Sequence, residues 1–486
     1  MTSPEPSAAA PARDRLAALA LVLLSLGVLF VDAAVKEVHG TAAFYASLAR
    51  VIADTGDPLA PYRGADAYLL KPPLMLWLTA AAVHLLGPTH LAATLWTRLC
   101  GVAVVMLTWA LGRRLYGPAV GWWAGLIVLT NSTIHQFSTT LRMDPMLTAG
   151  MLLALLGYFN GARRGGPALA FAGVAIAIMS KGPPALAVLL LAIGHALAAG
   201  KWPGRARGWL FGALVLVLPL AWYGHLYGEH GARVWTEFAA DARRGEDEPS
   251  AAKLPSAVEE YVEKPLKRYW PWLPFMLIGY AGACRELVRR DRPRDERARA
   301  ALLVAWVAVL VAGASIKPDH DVRYLYPVIP ALAILAGGVL VRLTRARVPR
   351  PVHVACALAG AALLLAATAP QRWFRDTRPA NAAMLARIDR EMPPGAPVLV
   401  IGDNPNNPPG PRRQSTQYDW VHYYLGRWSV VKLPAQVTAG DLAAAPIVLV
   451  ARHPRRDAIL AQLNLAPVIS GVEMVLALPP GRPGAS

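Results

Sequence analysis

Several ionisable residues stand beside apolar segments, where their types could serve chemistry. Asp144 opens one apolar segment, and Lys71, Lys181 and Lys317 stand next to others. Ionisable groups at a membrane edge are costly and are functional candidates for that reason. A carboxylate can move protons, and cations can bind a phosphate and stabilise it as a leaving group. Simpler roles exist: aspartate followed by Pro145 is a good helix start, and an interface lysine can extend its ammonium to water.

The composition indicates that a membrane must position these residues. The chain has 486 residues, of which 55% are hydrophobic and 16% charged, with a formal net charge of +18. Such a composition with repeated apolar runs is typical of an integral membrane protein. Arginines concentrate in short segments between those runs, as expected for cytoplasmic loops. The positive charge therefore does not predict nucleic-acid binding.

The apolar runs and their arginines predict eleven membrane-spanning helices, with the N-terminus cytoplasmic and the C-terminus periplasmic. The stretch Leu74–Leu86 is short for a span, and crossing there would place Arg113 and Arg114 outside. We therefore expect a re-entrant or surface helix at this stretch. The predicted spans are Leu16–Val31, His90–Leu111, Val120–Phe137, Pro145–Phe159, Ala168–Met179, Ala185–Ala199, Trp209–Leu226, Tyr269–Ala283, Ala301–Ile316, Tyr324–Val341 and Val352–Ala369.

The sequence changes character after the last span. Short apolar runs at 398–402, 428–432, 446–451 and 472–478 predict strands, and segments 418–425 and 456–463 have helical spacing. Alternating strands and helices indicate a small α/β domain over residues 370–486, on the periplasmic side. The transmembrane domain would be residues 1–369. Gly402-Asp403-Asn404 after the first strand predicts a loop, since no glycine-rich nucleotide motif follows.

The first external loop, residues 36–89, contains the most specific pattern. Apolar residues spaced by three and four predict an amphipathic helix along the membrane surface: Phe44, Leu48, Val51 and Ile52. The loop also carries Tyr45, Ala49-Arg50, Gly56-Asp57, Lys71-Pro72-Pro73-Leu74 and Trp77-Leu78. This arrangement resembles the first periplasmic loop of the GT-C class of polyprenyl-phosphate-dependent membrane glycosyltransferases, such as lipid A aminoarabinose transferases and protein O-mannosyltransferases.

Further motifs extend the resemblance over most of residues 40–330: Arg142-Met143-Asp144, Lys181-Gly182-Pro183, Arg268 with Pro271-Trp272-Leu273-Pro274, and Lys317 with Arg323-Tyr324-Leu325. The resemblance implies an inner-membrane protein that transfers a sugar from a polyprenyl-phosphate carrier to an envelope acceptor: lipid, glycan or protein. It implies an acidic site residue, Asp144, and a phosphate site formed by Lys71, Lys181, Arg268, Lys317 and Tyr324. Tyr45, Arg50 and Asp57 are predicted as further substrate contacts. We expect no cofactor and a monomer.

The chain departs from the family pattern at the acidic pair of the first loop, where Thr41-Ala42 stands. Glu37 lies four residues earlier, about one helical turn, and is predicted as the second catalytic residue. Asp32 and Asp57 are alternatives, although a turn explains Asp57. If the acceptor is a phosphate or carboxylate, it is already an anion and needs no base. His39 could assist.

Other functions are less well supported by the sequence. The spacing of histidines and cysteines does not predict a metal site, and Asp319-His320-Asp321 is interpreted as a solvated loop. A transporter is disfavoured because transporters tend to carry repeats and midplane ionisable groups. The principal alternative, because of Thr41-Ala42, is a non-catalytic membrane protein that binds lipid-linked sugar or serves as a scaffold for envelope assembly.

Overall fold

The computed structural model describes residues 9–34, 36–59, 62–63, 66–161, 165–202, 206–243, 255–344, 378–393, 396–402, 416–427, 429–451, 456–470 and 474–479. The helices of the first half are α1 Ala9–Phe30, α2 Gly40–Thr55, α3 Leu74–Leu86, α4 His90–Tyr116, α5 Pro118–Leu129, α6 Ser132–Ser138, α7 Asp144–Asn160, α8 Gly166–Lys181, α9 Ala187–Ala199, α10 Ala206–Ala213, α11 Val217–His230 and α12 Arg233–Ala242. Two short strands, β1 Tyr62–Arg63 and β2 Asp66–Ala67, precede α3.

The later helices are α13 Lys264–Arg268, α14 Leu273–Val288, α15 Arg294–Ile316, α16 Ile329–Thr344, α17 Arg378–Glu391, α18 Thr416–Leu425, α19 Ala439–Ala444 and α20 Arg456–Gln462. A π-helical turn, Glu259–Glu263, precedes α13, and a 3₁₀ segment, Val322–Val328, precedes α16. The strands are β3 Val398–Ile401, β4 Ser429–Lys432, β5 Val448–Ala451, β6 Ala466–Ser470 and β7 Met474–Leu478.

The helical pattern follows the apolar runs closely. A 3₁₀ turn, Leu214–Leu216, joins α10 and α11 into one helical run over the predicted span Trp209–Leu226, whereas another predicted span is broken. Helix α3 has the predicted bounds. The predicted third span, Val120–Phe137, is wrong as a single helix because it is divided into α5 and α6. Asn131 causes the division: its side chain accepts hydrogen bonds from the backbone N–H groups of Thr133 and Ile134, as an N-cap does.

Four helices among the described residues are long and apolar enough to cross a membrane: His90–Tyr116, Gly208–His230, Arg294–Ile316 and Val322–Thr344. Shorter apolar helices are Leu74–Leu86, Pro118–Leu129, Gly166–Lys181 and Pro183–Ala199. The molecule is therefore mostly helical with several apolar helices. The total of eleven spans stays a prediction, and its last member, Val352–Ala369, lies outside the described residues.

The chain divides into two compact units. The first comprises Met1–Val31, Ala67–Met75 and Trp96–Pro370, and the second Asp32–Asp66, Leu76–Leu95 and Gln371–Ser486, each over its described residues. The core of the first unit is an apolar cluster contributed mainly by α4, α5, α7, α8, α15 and α16. The predicted domain boundary at 369/370 stays a prediction, but the first-loop helix α2 groups with the C-terminal residues.

The second unit contains a mixed sheet with the strand order β4-β3-β5-β7-β6. Strand β3 pairs in parallel with β4 and β5, whereas β7 pairs antiparallel with β5 and β6. Every residue of β3 and β7 is buried, as expected for strands covered on both faces. The four predicted apolar runs form four of these strands, and β6 is an additional one.

Candidate anion site in the helical unit

Helices α7 and α8 form an antiparallel hairpin held together by glycines. A Cβ atom at Gly150 would lie 2.7 Å from the carbonyl oxygen of Gly173, and one at Gly157 would lie 2.7 Å from the Cα of Ala170. Small residues of this kind let two helix backbones approach closely. The hairpin brings the first residue of α7, Asp144, beside the last residue of α8, Lys181.

Asp144 and Lys181 form a buried ion pair in which the lysine ammonium donates a hydrogen bond to Oδ1. Asp144 is 2% exposed. Ser180 Oγ donates a hydrogen bond of 3.0 Å to the carbonyl of Met143, which fixes the two helix ends together. A carboxylate at a helix N-terminus and an ammonium at a C-terminus are each favoured by the helix dipole. The helix-start role and the ion pair of Asp144 therefore coexist.

Three cationic side chains lie close to the aromatic ring of Tyr324. The Nζ atoms of Lys181 and Lys317 each lie 4.9 Å from the ring centroid, and the guanidinium carbon of Arg323 lies 5.1 Å from it. Lys317 Nζ also donates a hydrogen bond of 2.8 Å to the tyrosine hydroxyl. Aromatic faces attract cations, which reduces the mutual repulsion of charges held so close together. Three predicted phosphate-site residues, Lys181, Lys317 and Tyr324, are thus one cluster.

Further charges act on the ion pair. Arg323 and Arg142 interact electrostatically with Asp144, and Lys71 interacts electrostatically with Lys181. Arg323 is in addition paired with Asp321, from Nε to Oδ2 over 3.1 Å. Arg323 stands in the motif with Lys317 and Tyr324 but is not among the predicted site residues. Its position between an aspartate and Tyr324 is the signal that could have identified it.

Arg268, the remaining predicted phosphate ligand, is held against a different element. Its Nη1 donates a hydrogen bond of 2.6 Å to Gln136 Oε1 of α6, and its backbone carbonyl accepts one of 3.0 Å from Ser132 Oγ. The break at Asn131 creates α6 and so provides these partners. A role of Arg268 toward a phosphate stays a prediction.

Four predicted residues of the first loop, Glu37, Tyr45, Arg50 and Asp57, belong to the second unit, whereas Lys71 belongs to the first. Glu37 Oε2 lies 3.9 Å from His39 Nε2, and Tyr45 is buried. Arg50 Nη1 donates a hydrogen bond of 2.8 Å to the carbonyl of Tyr423. Asp57 is exposed and its Oδ1 accepts a hydrogen bond of 3.0 Å from the backbone N–H of Leu59. This turn geometry agrees with the simpler role foreseen for Asp57.

The acidic residues near Tyr324 serve as hydrogen-bond and ion-pair partners. Asp319 Oδ2 accepts a hydrogen bond of 3.3 Å from the Tyr324 hydroxyl, and Asp321 Oδ1 accepts one of 2.9 Å from the Arg323 backbone N–H. Within the described part of the chain, no group of three or more His, Cys, Asp or Glu residues could hold a metal ion. Chemically, the cluster around Tyr324 and Lys181 is suited to binding an anion, with one buried carboxylate beside it.

Comparison with known proteins agrees with this chemistry. A family model described as dolichyl-phosphate-mannose-protein mannosyltransferase matches residues 70–223. A curated relative, the undecaprenyl phosphate-alpha-4-amino-4-deoxy-L-arabinose arabinosyl transferase of Edwardsiella ictaluri (strain 93-146), is 25% identical over 350 residues, covering 67% of this chain and 60% of the relative. The enzyme of the same name from Enterobacter sp. (strain 638) is 23% identical over 313 residues, covering 60% of this chain and 53% of the relative. The chain thus spans less than two thirds of the length of these relatives.

Solved structures show the same fold. ArnT from Cupriavidus metallidurans in the apo state aligns with a TM-score of 0.68 and 18% identity, covering 94% of this chain and 97% of that one. ArnT bound to undecaprenyl phosphate aligns with a TM-score of 0.67 and 18% identity, covering 97% and 98%. The archaeal oligosaccharyltransferase AglB from Archaeoglobus fulgidus aligns with a TM-score of 0.52 and 12% identity, covering 92% and 70%.

The apolar helices and these relatives indicate a multi-pass protein of the inner membrane. The motif resemblance, the matched family segment and the shared fold agree: the chain has the GT-C fold of ArnT and is similar in sequence to polyprenyl-phosphate-dependent membrane glycosyltransferases.

Proposed function

We propose that the chain transfers a sugar from a polyprenyl-phosphate carrier to an acceptor of the cell envelope. The observation that carries this proposal is the Asp144–Lys181 ion pair set beside the cations around Tyr324. A phosphate that links a sugar to a lipid must lie at the membrane edge, where the predicted topology puts these residues. The names of the curated relatives and the lipid phosphate bound to ArnT support the same class of donor.

The cations provide binding and leaving-group stabilisation. A sugar phosphodiester carries one negative charge, and the polyprenyl phosphate released from it carries more. Lys181, Lys317 and Arg323, with Lys71 acting on Lys181, therefore stabilise the product side of the reaction more than the ground state. Lys181 can exchange Asp144 for a phosphate oxygen, which would free the carboxylate when the donor binds.

The transfer is a single displacement at the anomeric carbon. An acceptor oxygen forms the new bond to this carbon while its bond to the phosphate oxygen breaks, and the electron pair leaves with polyprenyl phosphate. One displacement inverts the anomeric configuration. The proton of a hydroxyl acceptor would pass to a carboxylate, Asp144 or Glu37. An acceptor that is already an anion, such as a phosphate or carboxylate, brings no such proton.

The reaction is proposed to take place on the periplasmic face. In this arrangement the N-terminus is cytoplasmic, and residues 370–486 form an α/β domain in the periplasm. The donor would be an undecaprenyl-phosphate sugar, and the acceptor lipid A, a glycan or a protein. The chain is proposed to act as a monomer.

Lipid and glycan profiling of a deletion strain tests the proposal. We expect accumulation of one polyprenyl-phosphate sugar and loss of one envelope modification, both reversed by the wild-type gene and not by the Asp144→Asn variant. Unchanged lipids and glycans would contradict it. Purified protein that binds a polyprenyl-phosphate sugar without transferring it would favour the second candidate, a non-catalytic binding protein. Thr41-Ala42 in place of the acidic pair is the observation that favours this alternative.

A further inference from the structure

The C-terminal helix α18 packs against the first-loop helix α2 within the second unit, although they are far apart in sequence. Ser47 Oγ and His422 Nδ1 form a hydrogen bond of 2.8 Å between them. Both side chains belong to residues that are 3% exposed. These two polar atoms are therefore paired with each other away from solvent, as buried polar groups require.

Arg50 strengthens the same contact at the end of α18. Its guanidinium donates to the carbonyl of Tyr423, one of the last carbonyls of the helix. A cation at this position satisfies a free carbonyl and opposes the negative end of the helix dipole. Gly426, at φ +66°, makes room, because a Cβ atom there would lie 2.8 Å from Arg50 Nη2.

Two consecutive tyrosines of α18 form hydrogen bonds with residues that precede and follow α2 in the sequence. The hydroxyl of Tyr424 accepts a hydrogen bond of 2.9 Å from the backbone N–H of Val38, and the hydroxyl of Tyr423 donates one of 2.7 Å to the carbonyl of Thr89. Burial raises the pKa of both tyrosines, so their hydroxyls stay protonated at physiological pH. Val38 directly follows Glu37, the candidate second acid.

We infer that α18 is a positioning element for the candidate acid Glu37: through Tyr424, His422 and the Arg50–Tyr423 contact it fixes residues 36–55, and with them the backbone that carries Glu37. The inference rests on the proposed function for its catalytic consequence, but not for the contact itself. It assigns Arg50 to holding α18 rather than to substrate. It also gives the C-terminal residues a part in the reaction that their sequence does not suggest.

The sharpest variant is Tyr424→Phe, which removes one hydroxyl and leaves the ring in place. The N–H of Val38 then loses its acceptor, and the backbone next to Glu37 loses this hydrogen bond to α18. Small displacements of a catalytic group lower turnover by on the order of a hundredfold. Tyr227→Phe is the matched control, because Tyr227 is 52% exposed on α11.

Hydrogen–deuterium exchange of residues 36–55 tests the contact without an activity assay. We expect faster exchange there in Tyr424→Phe than in the wild type or Tyr227→Phe. Turnover should fall with KM nearly unchanged, and the acidic limb of the kcat–pH profile should move, because the surroundings of Glu37 change. A purely structural role would lower kcat without moving the profile.

Unchanged exchange in Tyr424→Phe would overturn the inference, and so would faster exchange with wild-type kcat and pH profile. If Tyr424→Phe does not fold, Gly426→Ala tests the same contact, because its Cβ atom displaces Arg50. A wild-type protein that transfers no lipid-linked sugar would refute the proposed function and the positioning role. The exchange measurement would then still decide whether α18 holds the first loop.

Discussion

At the scale of single residues, the main feature of the candidate site is the pairing of Asp144 with Lys181. Both are largely withdrawn from water, with side-chain exposures of 4% and 15%. Removing one partner of such a pair leaves an uncompensated charge, which costs far more than losing an exposed ion pair. Lys181 therefore supports the fold as well as the proposed phosphate site, and the two roles can be separated by experiment.

Lys181→Ala should lower both stability and activity, whereas the double variant with Asp144→Asn should recover stability alone. The single variant leaves a buried carboxylate without its hydrogen-bonded ammonium, at a cost of up to roughly 3–5 kcal/mol that the remaining charges of Arg323 and Arg142 reduce, and the double variant removes that carboxylate charge. Loss of a cation beside the developing phosphate should lower turnover about a hundredfold or more in both. Thermal unfolding in detergent and turnover with a polyprenyl-phosphate sugar measure the two effects.

The control for this pair of variants is Lys201→Ala, because Lys201 is an exposed lysine in an exposed ion pair with Asp295. Its removal should change stability and turnover little. Equal stability of Lys181→Ala and Lys201→Ala would contradict the buried pair, and normal turnover in Lys181→Ala would contradict the phosphate site.

Glu37→Gln should lower turnover about as strongly as Asp144→Asn if Glu37 replaces the missing acidic pair. Loss of a general base usually costs roughly a hundred- to ten-thousand-fold. When Thr41→Asp is added to the Glu37→Gln variant, it should then restore part of the lost activity. Thr41 is exposed whereas Ala42 is buried, so the acid is reintroduced at Thr41 alone. Initial rates with a hydroxyl acceptor provide the measurement.

A neutral effect of Glu37→Gln together with a strong effect of Asp144→Asn would indicate an acceptor that is already an anion. If neither variant changes the initial rate, catalysis by these two carboxylates is refuted.

At the scale of helices, the close approach of α7 and α8 brings the site residues together. Gly150→Ala should separate the two helices, because the new Cβ atom would lie 2.7 Å from Gly173 O and 2.8 Å from Ala177 N. Overpacking of this kind costs about 1–3 kcal/mol, and the shift should weaken the contact of Asp144 with Lys181. We expect a lower unfolding temperature and lower turnover.

Gly194→Ala in α9 is the matched control, since a Cβ atom there meets nothing within 4 Å. Alanine favours a helix over glycine by up to about 1 kcal/mol, so this variant should be neutral or slightly stabilised. Similar behaviour of the two alanine variants would show that α7 and α8 do not require their glycines.

The contact between α2 and α18 should weaken in acid. Burial, followed by the positive charge of Arg50, lowers the pKa of His422 from 6.5 to about 4, while Asp54 acts in the opposite direction. The folded state therefore binds fewer protons than the unfolded state between these values. Stability is fully present above pH 6.5 and is lost as the pH falls toward 4, by up to about 3 kcal/mol.

Hydrogen exchange of α2 and α18 at pH 7 and pH 4.5, corrected for intrinsic rates, measures this change. The variant His422→Gln should lose most of the pH dependence, since its side chain does not titrate. Equal protection of the wild type at both pH values would refute the expectation.

At the scale of the whole chain, several arginines of the predicted cytoplasmic loops stabilise helix ends. Arg114 donates to Phe159 O over 3.2 Å, Arg294 to Ala198 O over 2.8 Å, and Arg299 to Leu115 O over 2.5 Å. Each acceptor lies near the C-terminus of a helix, where the last carbonyls have no partner within the helix. Arginines that the positive-inside rule assigns to cytoplasmic loops therefore also donate hydrogen bonds to unpaired carbonyls at helix ends.

Reporter fusions test the proposed orientation. Fusions after Arg114, Arg164, Arg207, Arg299 and Arg350 should report a cytoplasmic location, and a fusion at the C-terminus a periplasmic one. A cytoplasmic C-terminus would mean that α3 crosses the membrane, and the loop assignments would change. Alkaline phosphatase and fluorescent-protein reporters, active on opposite sides, provide the paired measurement.

The features that depend on local sequence were predictable from it. The bounds of α3, the apolar helices and the strands β3 and β5 follow from hydropathy over a few residues, because burying apolar side chains dominates at that range. The motifs around Lys71, Lys181 and Lys317 are also local. Their resemblance to a family is enough to predict a polyprenyl-phosphate donor without knowledge of any contact.

The tertiary structure alone decided which residues meet. The contact of Asp144 with Lys181 spans 37 positions, and that of Arg50 with Tyr423 spans 373. No local rule relates such residues, since their approach depends on helix packing, on glycines that allow it and on the break at Asn131. The same reason explains why the contact of Arg50 with Tyr423 and the electrostatic interaction of Arg323 with Asp144 do not follow from the sequence: the partner of a charge is set by the fold, not by its neighbours in sequence.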